Sequence, residues 1–177
     1  MSDQIYSRPA TSAELASIEE TRRAYRAMWA KLKNVPPRAF DGSRDDIDAL
    51  DFIDYEAGHH PQGLVGAAII WGGVLAATGL VSWAVADEQL VLVGDPDFPR
   101  VLIFPFARLI ELECSSFPQF GKYEWLLEEA VLRLSLEIGD EAIAKLKSLL
   151  RIDAEGFMNR ARGTIKRLQN KPSRRVK

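Results

Sequence analysis

The sequence predicts an α+β domain: N-terminal helices, a central helix leading into a three-stranded antiparallel meander, and a C-terminal helical layer. Three observations carry that prediction. An uncharged run of 23 residues, Leu64 to Ala86, is divided by Thr78-Gly79, which has the form of a helix C-terminus with glycine in the left-handed position. Beyond it, large Val81, Trp83 and Val85 alternate with smaller Ser82, Ala84 and Ala86, the period of a strand. On either side of this block, apolar residues recur at helical spacing behind capping patterns.

Taken in order, Thr11 with Glu14 forms a capping box, and Leu15, Ile18, Tyr25, Met28, Trp29 and Leu32 follow it at helical spacing, so a first helix runs from about Ser12 to Lys33 before Pro36-Pro37 forbids continuation. A second box, Ser43 with Asp46, opens a shorter helix in which Ile47, Leu50 and Ile53 share a face. The apolar helix comes next, where Gly72-Gly73 would let another backbone approach closely. Strands follow at Leu80–Ala86, Gln89–Gly94 and Arg100–Phe104, the last two apolar on both faces, so that helices must cover both sides or another chain must cover one. Pro105 can begin a short helix that turns Arg108, Glu111 and Glu113 outward and supplies Phe106, Leu109, Ile110 and Leu112 to apolar contacts. Residues 115–121 make a loop, and Tyr123 to Ile138 a helix whose stripe is Leu127, Ala130, Val131, Leu134 and Ile138. Asp140 caps another helix toward Leu150, and Asp153 a last one through Leu168.

With 177 residues, 47% hydrophobic and 27% charged, the chain can bury one sizeable core, and a single domain over 1–177 is expected. Its parts are an N-terminal helix and connection (1–43), an acidic helix plus α/β core (44–113), C-terminal helices (114–170) and a basic tail (171–177). As one helix the uncharged run would reach about 35 Å, enough for a bilayer. Its flanks argue against a membrane: the nearest basic residues are the distant Arg44 and Arg100, and the adjacent charges are acidic. The lone cysteine, Cys114, excludes an intramolecular disulfide, and the N-terminus lacks a basic segment followed by an apolar core, so a cytoplasmic protein without a secretory signal is expected.

Net charge is only -2, yet it is unevenly spread. Between Asp45 and Pro99 there is no lysine or arginine and the charge is -10; from Lys145 to Lys177 it is +9. The acidic middle, with Asp45, Asp48, Asp51 and Asp54 at its head, is the expected surface for a protein partner of basic character. Asp54, Glu56, His59 and His60 bring together the ligand types of zinc, manganese or iron and define an alternative, a metal-dependent hydrolase. Adjacent histidines rarely close one site, and without a second distant histidine a solvated loop is the plainer reading. Arg160, Arg162, Lys166 and Arg167 could track a phosphate backbone, but no aromatic stacking residue follows Phe157, so nucleic acid is not the expected partner. No cofactor is expected, because no glycine-rich phosphate loop, nucleophile elbow or cysteine dyad is present. Trp29 and Trp125, on amphipathic helices, are better candidates for contact aromatics than Trp71 and Trp83, but a core position is the plainer reading for all four.

The central block resembles a small uncharacterised bacterial α+β domain family, on Gly66 and Gly73 in the helix, Gly79-Leu80-Val81-Ser82-Trp83 entering the strand, the acidic turn Asp87-Glu88, and Ile103-Phe104-Pro105 at a strand end. The similarity covers about residues 64–113. It implies the fold and, through related domains that accompany bacterial toxins, an immunity-like role. Glu111 and Glu113 stand where such domains often carry basic residues, which would change the charge of any partner surface there. A non-enzymatic interaction protein, binding through its acidic surface or a sheet face or pairing with itself, is the leading expectation.

Overall fold

The computed structural model describes residues 7–94, 101–114, 121–136 and 139–151. The elements are β1 (Ser7–Pro9), α1 (Ser12–Lys33), α2 (Asp45–Ala57), α3 (Gly63–Ala76), β2 (Val81–Ala86), β3 (Gln89–Gly94), β4 (Leu102–Ile103), α4 (Pro105–Glu113), α5 (Lys122–Leu134) and α6 (Asp140–Leu149). The fold is α+β, with the strands in one antiparallel sheet of order β1-β2-β3-β4. No helix among the described residues is long and apolar enough to cross a membrane.

The capping box of α1 forms as its sequence dictates: the Glu14 N–H donates to Thr11 Oγ1 at 3.3 Å and the Thr11 N–H to Glu14 Oε2 at 2.7 Å. Glu14 also receives both arms of Arg8, at 2.7 and 2.9 Å, which ties β1 to the start of α1. The helix stops at Asn34, which takes a left-handed conformation ahead of the prolines. The second box does not form. Gly42, at φ +87, turns the chain so that α2 begins only after Arg44, and the Asp46 carboxylate points back to accept from the Gly42 N–H at 2.8 Å and from Arg38 at 2.5 Å. The face itself is as expected: Ile47, Leu50 and Ile53 are all fully buried.

Helix α3 is buried from Gly66 through Leu75, an apolar helix with no solvent face over that stretch, set among α1, α2, α4 and α5. Gly79, at φ +75, separates it from β2. What the glycines of α3 admit differs from expectation. A Cβ on Gly72 would lie 2.5 Å from Trp83 Cη2, so the missing side chain seats an indole ring, whereas one on Gly73 would meet only Arg22 at 3.4 Å. The close backbone approach belongs to Gly42, whose Cβ would stand 2.7 Å from the Gly73 carbonyl oxygen.

The sheet has four strands where three were expected. β1 pairs with β2 through Ser7↔Ala86 and Pro9↔Ala84; three residues with a proline carry no alternation to read, and proline at an edge leaves no ladder donor unpaired. β4 contracts to two residues, paired as Leu92↔Ile103 and Val93↔Leu102, because Pro105 starts α4. Val81, Trp83, Leu92 and Ile103 join the main core under α3 and α4. Ala84, Ala86 and Val91 form a second apolar cluster on the other face, flanked by Val93, Leu102 and Phe104, and at 2%, 1% and 0% exposure they are already buried within the single chain. The main cluster runs from Tyr25 to Leu150, joining N- and C-terminal helices in one core. Ile110 is the exception among the residues expected to pack from α4: it is exposed. The fourth strand's Arg100, the loop residues 115–120, Ile138 of the α5 stripe, the helix expected after Asp153 and the basic tail lie outside the described residues.

Candidate functional site

The acidic helix α2 has two sides, and they do different things. Its outward strip carries Asp45, Asp48, Tyr55 and Glu56, all exposed. Asp48 pairs with Arg44 at 2.9 Å and Asp45 with Arg151, while Arg44 also reaches Glu124 at 3.0 Å. Between these acids lies Phe52, half-buried, with the Trp29 ring edge-on at a centroid distance of 5.4 Å and the Lys33 ammonium 3.4 Å over its face. Trp29 and Trp125 are both half-buried and pack against the main core, from α1 and α5.

Asp51 and Asp54, one and two turns further along, look toward α5 and do not join that strip. Asp54 Oδ2 binds the Lys122 ammonium, which also donates to Glu113 Oε1 at 2.5 Å, and Asp54 Oδ1 lies 3.4 Å from His60 Nε2. Lys122, with 5% of its surface exposed, therefore occupies the cation position between two carboxylates contributed by α2 and α4. Desolvation alone would raise the pKa of Asp54, but its bonds to His60 and Lys122 outweigh it and hold the carboxyl below its ordinary value. Desolvation works against the Lys122 cation in the same way, and Asp54 and Glu113 reverse it, so the ammonium is retained.

His60 ends a turn set by Gly58, which takes a left-handed conformation and donates its N–H to the Asp54 carbonyl. The turn sends the two histidines apart. His59 stays exposed with Nδ1 2.7 Å from the Ala57 carbonyl, whereas His60 is buried, stacked on Tyr25 at 5.7 Å and sharing a 2.5 Å hydrogen bond between Nε2 and the Tyr123 hydroxyl. Its Nδ1 is buried without a partner, as is the Tyr25 hydroxyl. The Asp54 carboxylate, an acceptor 3.4 Å from Nε2, favours a proton on that nitrogen, with the Tyr123 hydroxyl oxygen beside it. Burial drives the pKa of both tyrosines far above the usual range, so both phenols keep their protons. The plainer sequence reading, a solvated pair of histidines, therefore holds for His59 and fails for His60.

The metal alternative is divided by this geometry. Of its four residues, Asp54 and His60 meet in the interior, already engaged by Lys122 and Tyr123, while Glu56 and His59 are exposed. Among the described residues no group of three or more histidine, cysteine, aspartate or glutamate side chains is placed to hold a metal ion. The nucleic-acid alternative, Arg160, Arg162, Lys166 and Arg167, lies outside the described residues. Lys122, Tyr123 and Tyr25 carry no polar role in the sequence reading: Tyr25 sits in the apolar stripe of the first helix, Tyr123 opens the helix expected over 123–138, and Lys122 precedes it. No family model, curated protein or solved structure matches the chain.

Asp51 completes the inner side. Burial pushes its carboxyl up to about 7, opposed only in part by the Tyr123 N–H and the Lys122 charge, and its Oδ1 is buried without a partner. Burial likewise raises Asp46 to about 6 against the Gly42 N–H and Arg38. An unfolded aspartate titrates near 3.9, so between about pH 4 and pH 7 the folded chain keeps protons the unfolded chain has lost, and this pair makes stability fall as pH rises through that window. Asp51→Asn keeps an acceptor for the Tyr123 N–H and removes the ionisation. We expect it to flatten the pH dependence and to gain about 1–2 kcal/mol at pH 8, discounted for the partial exposure of the site. Urea unfolding at pH 5 and pH 8 checks it, and a variant less stable than the parent at pH 8 would contradict the assignment.

Proposed function

We propose that the protein is a non-enzymatic interaction domain that captures a basic protein through the outward strip of α2, immunity-like in mode. The observation that carries this reading is Tyr55, 74% exposed, set among acids with Asp48 72% exposed by its side chain two turns away. A large aromatic at the surface beside acids, with Phe52 and Trp29 packed on each other in the same helix pair and Lys33 over the Phe52 ring, has the makeup of an interface hot spot. Acidic groups there steer a cationic partner; Arg151, the exposed partner of Asp45, can be replaced by an incoming basic side chain, whereas Arg44 is held between Asp48 and Glu124. The inner carboxylates support the same reading from the other direction. Asp54 and Glu113 share a lysine rather than standing open to substrate, which suits a fastening of helices better than hydrolysis.

The proposal narrows the binding set to Asp45, Asp48, Tyr55 and Glu56, and leaves Asp51 and Asp54 to the fold. Asp48→Lys combined with Tyr55→Ala is expected to leave the melting temperature unchanged and to lower quantitative capture of the partner by roughly tenfold or more. Capture undiminished by the pair, with the fold intact, would end the proposal. Charge reversal at Asp51 is expected to act on stability and not specifically on capture.

A further inference from the structure

The inner side of α2 gathers three carboxylates around one ammonium. Asp54 and Glu113 hold Lys122 between them, and Asp51, one turn before Asp54 on the same face, accepts the N–H of Tyr123, the residue next to Lys122. Successive residues of α5 thus address the two aspartates, which leaves the long Lys122 side chain within reach of both. The groups that face this place are Tyr25 of α1, Asp48 and Asp54 of α2, His60 after it, Glu113 of α4, and Lys122 and Tyr123 of α5; α3 brings no ionisable side chain. Both phenols keep their protons, and His60 is engaged by Tyr123 and Asp54, so Lys122 is the cation that answers a charge on Asp51.

The three carboxylates are not equivalent. Asp51 Oδ1 is buried with no partner, a position in which an ionised carboxyl would leave its charge bare. Glu113, the last residue of α4, has a side chain 36% exposed against 20% for Asp54 and 6% for Lys122, so it is the member of the group that can return to water. An ammonium carries three donors on a rotating head. When Asp51 loses its proton, the move that satisfies Oδ1 with least disturbance is for Lys122 to keep Asp54, turn away from Glu113 and donate to Asp51.

We infer that Lys122 is a pH-operated shuttle: with Asp51 protonated it ties the end of α4 to α2 through Glu113 and Asp54, and with Asp51 ionised it bridges Asp51 and Asp54 and releases the end of α4. The proton passes from Asp51 to solvent and no covalent bond changes. The contacts of Lys122 described above are those of the tied form. Burial raises the Asp51 carboxyl to about 7, so the tied form belongs to the acid side of neutrality and the released form to the alkaline side. The shuttle does not depend on the outward strip of α2 binding a partner, and would survive the failure of that reading.

The test is an NMR titration of the full, isotope-labelled chain from about pH 5 to about pH 9. The Asp51 carboxyl carbon should titrate near neutrality. At the same midpoint, cross-relaxation from the Lys122 ε-methylene should pass from the Glu113 γ-methylene to the Asp51 β-methylene. The Cys114 N–H, bonded to the Ile110 carbonyl in the last turn of α4, should then exchange roughly fivefold or more faster than its intrinsic pH dependence requires. In Asp51→Asn both changes should vanish, with Lys122 remaining on Glu113 throughout. In Glu113→Ala the Cys114 amide should exchange at the faster rate across the whole range while Asp51 still titrates. An Asp51 that does not titrate in this range, a Lys122 that stays on Glu113 when it does, or a transfer that persists in Asp51→Asn would overturn the assignment. The titration of the parent decides the matter even where a variant fails to fold.

Discussion

Replacing Lys122 with methionine should destabilise the protein by about 3 kcal/mol, a lowering of the melting temperature of roughly 6–12 °C for a chain of this size. The side chain is nearly isosteric, so the effect is electrostatic. Methionine leaves Asp54 without the cation that offsets its desolvation and returns Glu113, which is partly exposed, to water. Asp54 has its pKa lowered in the native protein, so it contributes stability above its unfolded pKa that is lost as pH falls through its folded pKa. In Lys122→Met that contribution is gone at neutral pH. The gap between parent and variant should therefore be widest near pH 7 and narrow as pH drops below about 4, where both forms carry a protonated carboxyl. Asp54→Asn in the methionine background should restore part of the loss, because it removes the charge left unpaired. Chemical denaturation of the parent, Lys122→Met, Asp54→Asn and the double variant at pH 7 and pH 4 tests this. Additive losses at both pH values would mean that Lys122 and Asp54 do not act on each other.

Gly72→Ala should cost about 2–3 kcal/mol, despite alanine's better helix propensity by about 1 kcal/mol. The added methyl would sit 2.5 Å from Trp83 Cη2 and 3.2 Å from Pro105 Cγ, so the indole must move or the helix must separate from the sheet. Trp83 is pinned on the strand between Val81 and Val85 with Leu92 opposite it, and cannot slide without breaking the β2–β3 register. Gly73→Ala is the control. Its Cβ meets only the end of Arg22 at 3.4 Å, and the change should be neutral or stabilising. Thermal unfolding of the two variants separates the explanations. Equal effects would show that helix propensity, and not the seat of Trp83, governs this stretch.

The parts of the fold visible in sequence were those specified by local chemistry. Thr11 with Glu14, the period of Ile47, Leu50 and Ile53, Gly79 after the apolar helix and Pro105 before α4 each act through neighbours within a turn or two. What escaped was set across the chain. β1 exists because β2 offers it an edge, and the Asp46 carboxylate serves Gly42 and Arg38 because the turn at Gly42 delays the start of α2. The candidate site shows the same division. A run of aspartates announces an acidic surface, but its two faces separate only when α5 arrives from some seventy residues later to claim Asp51 and Asp54. Composition cannot distinguish a carboxylate that greets solvent from one that holds a lysine inside.

The all-round burial of α3 bears on how the chain is made. Its cover comes from α1 and α2, already synthesised, and from α4 and α5, which follow the sheet. A nascent chain that has just released β4 therefore holds a finished apolar helix with one flank bare, together with Trp83 and no Pro105 or Phe106 to seal its hairpin. During that interval the chain exposes the bare apolar flank of a 14-residue helix, too short to span a bilayer yet open to wrong hydrophobic contacts. Arg108, arriving on α4 and joined to Glu129 of α5, is among the contacts that close the interval.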